Sequence, residues 1–401
     1  MSELYSLPNG WEWKKLGKIA KLQNGFAFKS KLFVNDGLPI VRIKNIKNEK
    51  VLLDDVVYFN VEDYGKKLDS YQIKKNDILI AMSGATTGKI GLYDTEEISY
   101  LNQRVGLFRI ENSNLRSYLF YFLSTQIEKN LELSLGAAQP NLSTEQINNI
   151  ELPLPPLEEQ KRIVAKLDNL FAKIDKAIAL HQKNIDEANV FMASVLNDVF
   201  VELNGVYQKR QLESFDRKMS SGGTPSRKEK LYWDNGTIDW FSSGELNQLY
   251  TLPSKEKITQ LGLEKTSTKL FSKGTLLIGM YDTAAMKMSI LSNDGSCNQA
   301  IVGFKSDESE LNILFLKYQL EYLKKDILEQ RQGVRQQNLN LSKIKNIEIE
   351  YPPLKTQQKV VSYLDEISNK MEKIKNLQKE KMQSLKELKA SILDKAFKGE
   401  L

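Results

Sequence analysis

Two long stretches with regularly spaced apolar residues dominate the chain, at residues 157 to about 200 and 354 to about 397. Each follows a Pro-Pro pair and continues without a Pro or Gly. Within each stretch, apolar side chains recur at steps of three and four, which places them on one face of an α-helix. So narrow a stripe on so long a helix favours packing against a partner helix. We therefore predict two long helices that pair as an antiparallel coiled coil.

The predicted seam between the two helices follows from this periodicity. In chain order its residues are Ile163, Leu167, Leu170, Ile174, Val360, Leu364, Ile367, Met371 and Ile374.

The chain also contains a tandem duplication. Gln160 recurs as Gln357, and Leu167-Asp168 recurs as Leu364-Asp365, in each case 197 positions later. The segment 136–151 matches 333–348 at the same offset. An offset that stays constant over so many residues indicates two copies of one structural unit.

Ahead of each long helix, the two halves agree in outline and differ in detail. Short apolar runs at 77–82 and 101–108, repeated at 274–280 and 297–304, are typical of buried strands. Shorter helices are expected at 116–130 and 311–330. We predict the α+β class, with two tandem domains, two long spacer helices and approximate two-fold symmetry. The predicted boundaries are 1–156 and 201–353 for the domains and 157–200 and 354–401 for the helices.

Composition excludes several kinds of site. Cys297 and His181 are the only residues of their types, so intrachain disulfides, cysteine-rich zinc sites and histidine-dependent triads are excluded. No metal site is expected. No run of about 18 apolar residues occurs, and the N-terminus lacks the pattern of a signal peptide, so we expect a cytoplasmic protein. The net charge of +6 is compatible with a polyanionic partner but does not establish one.

Polar loops that follow the predicted strands are the candidate recognition sites. The segment 83–90 (SGATTGKI) lacks the spacing of a phosphate-binding loop. It is either a plain turn or a surface whose hydroxyls and lysine face DNA. The corresponding segment 281–287 keeps the lysine and changes most other residues, which is typical of a variable reading surface. Candidate DNA-binding residues of the first half are Lys29, Arg42, Lys44, Ser83, Thr86, Thr87, Lys89 and Arg104.

The second half offers two further polar clusters. Residues 220–228 form a turn-rich segment with two cations, either a flexible loop or a phosphate contact. Arg331, Arg335 and Gln336 precede the second long helix, where Arg and Gln side chains are suited to base edges in the major groove; a solvated loop is the alternative. Candidate DNA-binding residues of the second half are Ser221, Thr224, Arg227, Lys228, Tyr281, Asp282, Lys287, Arg331, Arg335 and Gln336.

Catalytic motifs are not found in the sequence. It lacks the Asn/Asp-Pro-Pro-aromatic motif of amino-methyltransferases, a Walker A motif and a nuclease-type carboxylate cluster. We predict no catalytic residues and no cofactor on this chain. A stand-alone DNA methyltransferase and a purely structural coiled-coil scaffold are the alternatives from other classes.

Several segments resemble the specificity subunit of type I restriction–modification systems. These are 7–11 (LPNGW), 221–226 (SGGTPS), 154–160 (LPPLEEQ) and the ending 396–401 (AFKGEL). The resemblance implies two target-recognition domains that read a bipartite duplex, with the helices setting the spacer. It also implies two modification subunits, which use S-adenosylmethionine to methylate adenine N6, and restriction subunits in the full complex. A related system of type IIB character is the alternative within this class.

Overall fold

The computed structural model describes residues 5–64, 68–134, 141–329 and 339–401, and the chain folds as two compact units. The first unit comprises residues 1–181 and 379–401, and the second comprises residues 182–378. Each unit combines small sheets with helices, which confirms the α+β class.

The first unit contains most of the strands. Its described strands are β1 (Glu12–Lys15), β2 (Leu22–Asn24), β3 (Leu38–Val41), β4 (Ile46–Lys47), β5 (Glu49–Val51), β6 (Val57–Phe59), β7 (Gln72–Ile73), β8 (Ile78–Ala81), β9 (Ile90–Leu92), β10 (Ser99–Leu101), β11 (Val105–Phe108) and β12 (Glu151–Leu154). Its shorter helices are α1 (Leu16–Ile19), α2 (Ser113–Thr125), α3 (Ile127–Ser134) and α4 (Thr144–Asn148). Helix α5 (Leu157–Leu203) begins here and continues into the second unit.

The described residues of the second unit form fewer strands. They are β13 (Lys209–Gln211), β14 (Ser220–Ser221), β15 (Ile238–Phe241), β16 (Glu256–Ile258), β17 (Leu276–Gly279), β18 (Met288–Ile290), β19 (Gly295–Cys297), β20 (Ile301–Phe304) and β21 (Glu348–Glu350). Its shorter helices are α6 (Gln260–Glu264), α7 (Ile313–Glu329) and α8 (Leu341–Lys345). Helix α9 (Leu354–Lys398) begins here and ends in the first unit.

Sheet topology repeats between the units. The sheet β14-β20-β17-β18 has the order of β2-β11-β8-β9, and β16-β15-β19 has the order of β6-β3-β10. The ribbon β13-β21 likewise repeats β1-β12. Strands β4, β5 and β7 of the first unit have no counterpart among the described strands of the second. The duplication inferred from sequence therefore extends to strand order, even where the residues differ.

Segments of α5 and α9 pack against each other within each unit, and they run antiparallel. In the first unit, Arg162 donates to the Leu401 carbonyl at 2.7 Å and Lys389 pairs with Asp175 at 3.1 Å. In the second unit, Asn184 donates to Gln378 at 3.4 Å, and Lys375 donates to Asn189 at 3.3 Å. In both units the residue number falls along α9 as it rises along α5. The predicted antiparallel pairing is therefore confirmed within each unit.

Most members of the predicted seam are buried or half-buried within their unit. Ile163, Leu167 and Ile174 are buried, and Leu170 packs against the same core. Leu364 is also fully buried, and Val360 and Ile367 pack against the core of the second unit, while Met371 is half-buried.

Ile374 was wrongly placed on the seam, because it is 39% exposed. The inward positions continue from Met371 to Lys375 and Gln378, and Ile374 points away from that line. Polar side chains occupy the inward positions of this stretch, so a prediction based on apolar spacing chose Ile374 in place of its neighbour Lys375.

Helix α5 extends beyond its predicted end at about residue 200. The Asn204 amide still donates to the Phe200 carbonyl at 3.0 Å, and the helix ends at Leu203.

Two tyrosine–aspartate hydrogen bonds attach the long helices to the shorter ones. Tyr121 of α2 donates to Asp168 of α5 at 2.5 Å, and Tyr318 of α7 donates to Asp365 of α9 at 2.5 Å. The two tyrosines lie 197 positions apart in the sequence, and so do the two aspartates. Burial makes the largest contribution to raising the pKa of each tyrosine, and the hydrogen bond to the carboxylate makes the second largest. The duplicated Asp is thus retained where each long helix meets its own domain.

We expect Tyr318→Phe to lower the free energy of unfolding by about 1.5–3 kcal/mol, because it removes a hydrogen bond to a charged acceptor. Tyr318 is 5% exposed, so its partner carboxylate would lose a sheltered donor. Tyr363→Phe makes the same chemical change at a side chain that is 52% exposed and should have little effect. Urea unfolding of both variants checks this expectation, and equal losses would contradict it.

Candidate nucleic-acid interface

Four loops of the first unit meet at one edge of its sheets. Strands β3 and β10 are parallel, so the turns that follow them begin at the same edge. The Asn102 amide donates to the Val41 carbonyl at 3.2 Å, and the Met82 amide donates to the Arg104 carbonyl at 2.9 Å. The Phe26 amide donates to the Leu101 carbonyl at 2.8 Å. We call residues 25–29, 42–45, 83–89 and 102–104 the first loop face.

The second unit builds the same edge with the same backbone bonds. The Asn298 amide donates to the Phe241 carbonyl at 3.0 Å, and the Met280 amide donates to the Ala300 carbonyl at 2.8 Å. The Gly223 amide donates to the Cys297 carbonyl at 2.9 Å. We call residues 222–228, 242–245, 281–287 and 298–300 the second loop face.

The loops 83–89 and 281–287 share one backbone path. Gly88 donates to the Ala81 carbonyl at 2.8 Å, and Met286 donates to the Gly279 carbonyl at 2.8 Å. Both Gly88 and Met286 have positive φ, at 83° and 58°. A side chain at Gly88 would meet Asn130 and the Ile127 carbonyl at 2.9 Å, whereas Met286 is buried without such a barrier. The fold therefore keeps the loop and varies what it displays.

Glycine is required where the first loop of each face passes the last. A Cβ at Gly25 would overlap the Asn102 carbonyl oxygen, and one at Gly222 would overlap the Cys297 carbonyl oxygen. These glycines are again 197 positions apart. Close backbone approach, and not flexibility, explains both.

We expect Gly222→Ala to lower the free energy of unfolding by about 1–3 kcal/mol, because the added methyl group must displace backbone atoms. Gly244→Ala is the matched control in the same unit. Its added methyl group would lie 4.0 Å from Ser242 Oγ, and its stability should stay within about 1 kcal/mol of wild type. The comparison is made by thermal unfolding of both variants. A Gly222 variant as stable as the control would contradict the close approach.

The candidate cations differ in whether their charge is available. Lys29, Lys89, Arg104 and Lys228 are exposed. Lys44 forms an ion pair with Asp55 at 2.6 Å, and its hydrogen bond lowers the pKa of that carboxyl.

Arg227 is engaged within its own unit. It forms a two-bond ion pair with Glu256, whose pKa it lowers, and its guanidinium lies 3.8 Å from the centre of the Trp233 ring. These contacts hold the guanidinium of Arg227 against its own unit. Its role toward DNA stays a prediction.

The candidate polar residues also differ in accessibility. Thr87 is 2% exposed and donates to the Gly84 carbonyl at 2.7 Å, so its hydroxyl stabilises the turn and does not face solvent. Thr224 donates to Gln299 at 2.5 Å, and Lys287 donates to Asn247 at 3.2 Å. Ser221 pairs with Val302 in β14.

The remaining predicted DNA-binding residues are half-buried or lie outside the described residues. Ser83, Thr86 and Arg42 lie on the first loop face and are half-buried, as is Tyr281 on the second. Arg331, Arg335 and Gln336 lie outside the described residues, as does the side chain of Asp282.

Sequence reasoning missed two asparagines that hold the turns of the faces. Asn102 Oδ1 accepts from the Arg104 amide at 3.3 Å, and Asn298 Oδ1 accepts from the Ala300 amide at 3.0 Å. The Asn-Gln dipeptide that recurs at 102–103 and 298–299 was the available signal. It was interpreted only as part of a strand.

The described residues contain neither a cluster of metal-ligating side chains nor a membrane-spanning helix. Among them, no group of three or more His, Cys, Asp or Glu side chains is arranged to hold a metal ion. None of the helices within the described ranges is long and apolar enough to span a membrane.

Comparison with known proteins gives a consistent set of relatives. The family model described as the type I restriction modification DNA specificity domain matches residues 8–188 and 206–381. The MjaVIII specificity subunit of a type I restriction enzyme from Methanocaldococcus jannaschii is 32% identical over 203 residues, which is 49% of this chain and 47% of that protein. The StySPI specificity subunit from Salmonella potsdam is 26% identical over 98% of this chain and 90% of that protein.

The extent of these matches varies. The chain spans about half the length of the MjaVIII subunit, whereas the StySPI match runs along nearly all of both proteins. A solved structure described by the complex assembly and conformational transition of a type I R-M system has a TM-score of 0.71 at 21% identity. It covers 99% of this chain and 100% of its own. This likeness shows the fold.

Proposed function

Because the chain belongs to the type I restriction modification DNA specificity family, we propose that it reads a two-part duplex DNA target, one part with each loop face. The observation that carries the proposal is the pair of loops 83–89 and 281–287. They have the same backbone hydrogen bonds and different side chains. A repeated frame with varied side chains suits two readers of different sequences, because base contacts specify and phosphate contacts position.

The chain itself acts as a non-catalytic subunit in this proposal. It binds no cofactor, and two modification subunits supply adenine-N6 methylation with S-adenosylmethionine bound to them. Restriction subunits join in the full complex. The partner methyltransferase extrudes the adenine from the duplex, and this chain selects where that happens. We propose a cytoplasmic location for the complex, because its duplex DNA target would be accessible there.

The chemistry of the loop faces supports a DNA ligand. Lys29, Lys89 and Arg104 are exposed on the first face, and Lys228 is exposed on the second. Exposed cations next to hydroxyl and amide side chains suit a ligand with charged phosphates and polar base edges. The paired segments of α5 and α9 are part of the core of each unit, so each face has a rigid support.

Methylome sequencing tests the proposal. Cells that express the modification subunits with this chain should carry N6-methyladenine in a two-part motif with a fixed gap. Cells that express the modification subunits alone should lose that motif. A motif that survives without the chain would overturn the proposal. Calorimetry on the isolated chain distinguishes this proposal from the alternative that the chain is itself a DNA methyltransferase. A methyltransferase should release heat on binding S-adenosylmethionine, and this chain should not.

A further inference from the structure

Three polar atoms on the first loop face have no hydrogen-bond partner among the residues that the structure describes. They are Arg42 Nε, Ser83 Oγ and Thr86 Oγ1, and each is shielded from solvent. Buried polar groups are normally paired, and an unpaired one destabilises the state that holds it. Three such atoms on one face indicate that the turn is not in its most favourable surroundings when no ligand is bound.

These atoms lie on two turns that touch. Arg42 precedes the turn Ile43–Asn45, and Ser83 precedes the turn Gly84–Thr86. Gly84 lies against Ile43, since a Cβ at Gly84 would be 3.3 Å from Ile43 Cδ1. The unpaired atoms therefore belong to one local cluster.

In the equivalent turns of the second unit, none of the described side chains has a buried polar atom without a partner. Ser242, which precedes the turn equivalent to Ile43–Asn45, donates to Glu245 at 2.7 Å. Ala284 stands at the position of Thr86, and it is buried without a polar side chain. The fold does not require the unpaired atoms, so their presence in the first unit needs its own explanation.

The turn also has the means to move. Gly84 begins the turn Gly84–Thr86 and Gly88 follows it, with φ of 78° and 83°, and glycine reaches other backbone conformations at low cost. The equivalent positions in the second unit are Asp282 and Met286. Glycine hinges and unpaired donors thus occur together in one unit and are both missing from the corresponding positions of the other.

We infer that the turn 83–88 is an adaptable reading element, in which DNA draws out the Ser83 and Thr86 hydroxyls and the Arg42 guanidinium to bond base-edge acceptors. This inference rests on the proposed function. Base edges are favoured over phosphates because the two units share the backbone of the loop but not these side chains. A phosphate contact would suit the same donors in both units. Lys89, which is exposed beside the turn, supplies the neighbouring phosphate contact.

The double variant Ser83→Ala with Thr86→Val gives the inference a distinctive signature. It removes two unpaired hydroxyls while keeping the shape of the turn, so the full chain should unfold at a midpoint about 2–4 °C higher than wild type. Ser113→Ala removes an exposed hydroxyl of the same unit and should leave the midpoint unchanged. A lower midpoint in the double variant would overturn the inference, because it would mean that the hydroxyls are already well paired.

A second experiment tests the inference by selecting bound sequences from a random duplex library. The chain is used in complex with its modification subunit. The wild-type complex should select a two-part motif. The double variant should lose about tenfold or more of its preference at one or two base pairs of one part and keep the other part. An unchanged motif, or a uniform loss over all sequences as expected for phosphate contacts, would overturn this inference alone. A wild-type complex that selects no two-part motif would overturn the proposed function as well.

Discussion

Leu364→Ala should lower the free energy of unfolding of the second unit by about 2–5 kcal/mol. Leu364 is fully buried in the core that joins α9 to the sheet and helices of that unit. Truncating it removes apolar contacts and leaves a cavity that the surrounding elements fill only in part. Because the long helices are part of each core, the loss should appear as unfolding of the domain and not only as fraying of a helix.

Leu377→Ala is the matched control for Leu364→Ala. It makes the same substitution on the same helix and in the same unit, at a side chain that is 51% exposed. We expect a change within about 0.5 kcal/mol. Urea unfolding followed by circular dichroism measures both. Similar losses at the two positions would mean that α9 does not pack on the second unit as the structure shows.

Replacing Lys89 and Arg104 with Ala should weaken DNA binding by about 10²-fold near 0.1 M salt. Both side chains are exposed on the first loop face. Each phosphate contact releases counterions from the duplex, so losing two contacts should also reduce the slope of log K against log salt by about two. Fluorescence anisotropy at several salt concentrations, with the modification subunit present, gives both quantities.

Lys14→Ala with Lys75→Ala removes the same charge elsewhere in the same unit. Lys14 and Lys75 pair with Glu12 and Glu96, and Lys75 precedes β8, at the end opposite the loop 83–89. We expect at most a small loss of affinity and an unchanged salt slope. Equal effects from the two double variants would indicate a response to net charge and would remove the special role of the first loop face.

Much of the fold was predictable because the duplication repeats exact spacings. Asp168 and Asp365 each accept a hydrogen bond from a tyrosine 47 positions earlier. Helices α4 and α8 begin 197 residues apart, each with a side chain that caps its first turn. Where two copies share a residue, the same local contact usually holds it.

Other features depend on contacts that are distant in sequence or compete locally. The helix expected at 116–130 is divided into α2 and α3, and near the break Ser124 and Thr125 donate to the backbone carbonyls of Tyr121 and Phe122. Such bonds compete with a continuous helix. The ion pair of Arg227 with Glu256 spans 29 positions and could not be inferred from the turn-rich segment that contains Arg227. The loop faces were therefore found from sequence as segments, whereas the state of each side chain required the structure.

Exchange of one domain tests the central claim most directly. Residues 1–150 would be replaced by the matching segment of a family member that reads a different target, and the methylome of cells that also express the modification subunits would be sequenced. We expect one part of the adenine motif to change. The other part should keep the same bases at the same positions within it. If both parts changed together, or if neither changed, the two units would not be independent readers.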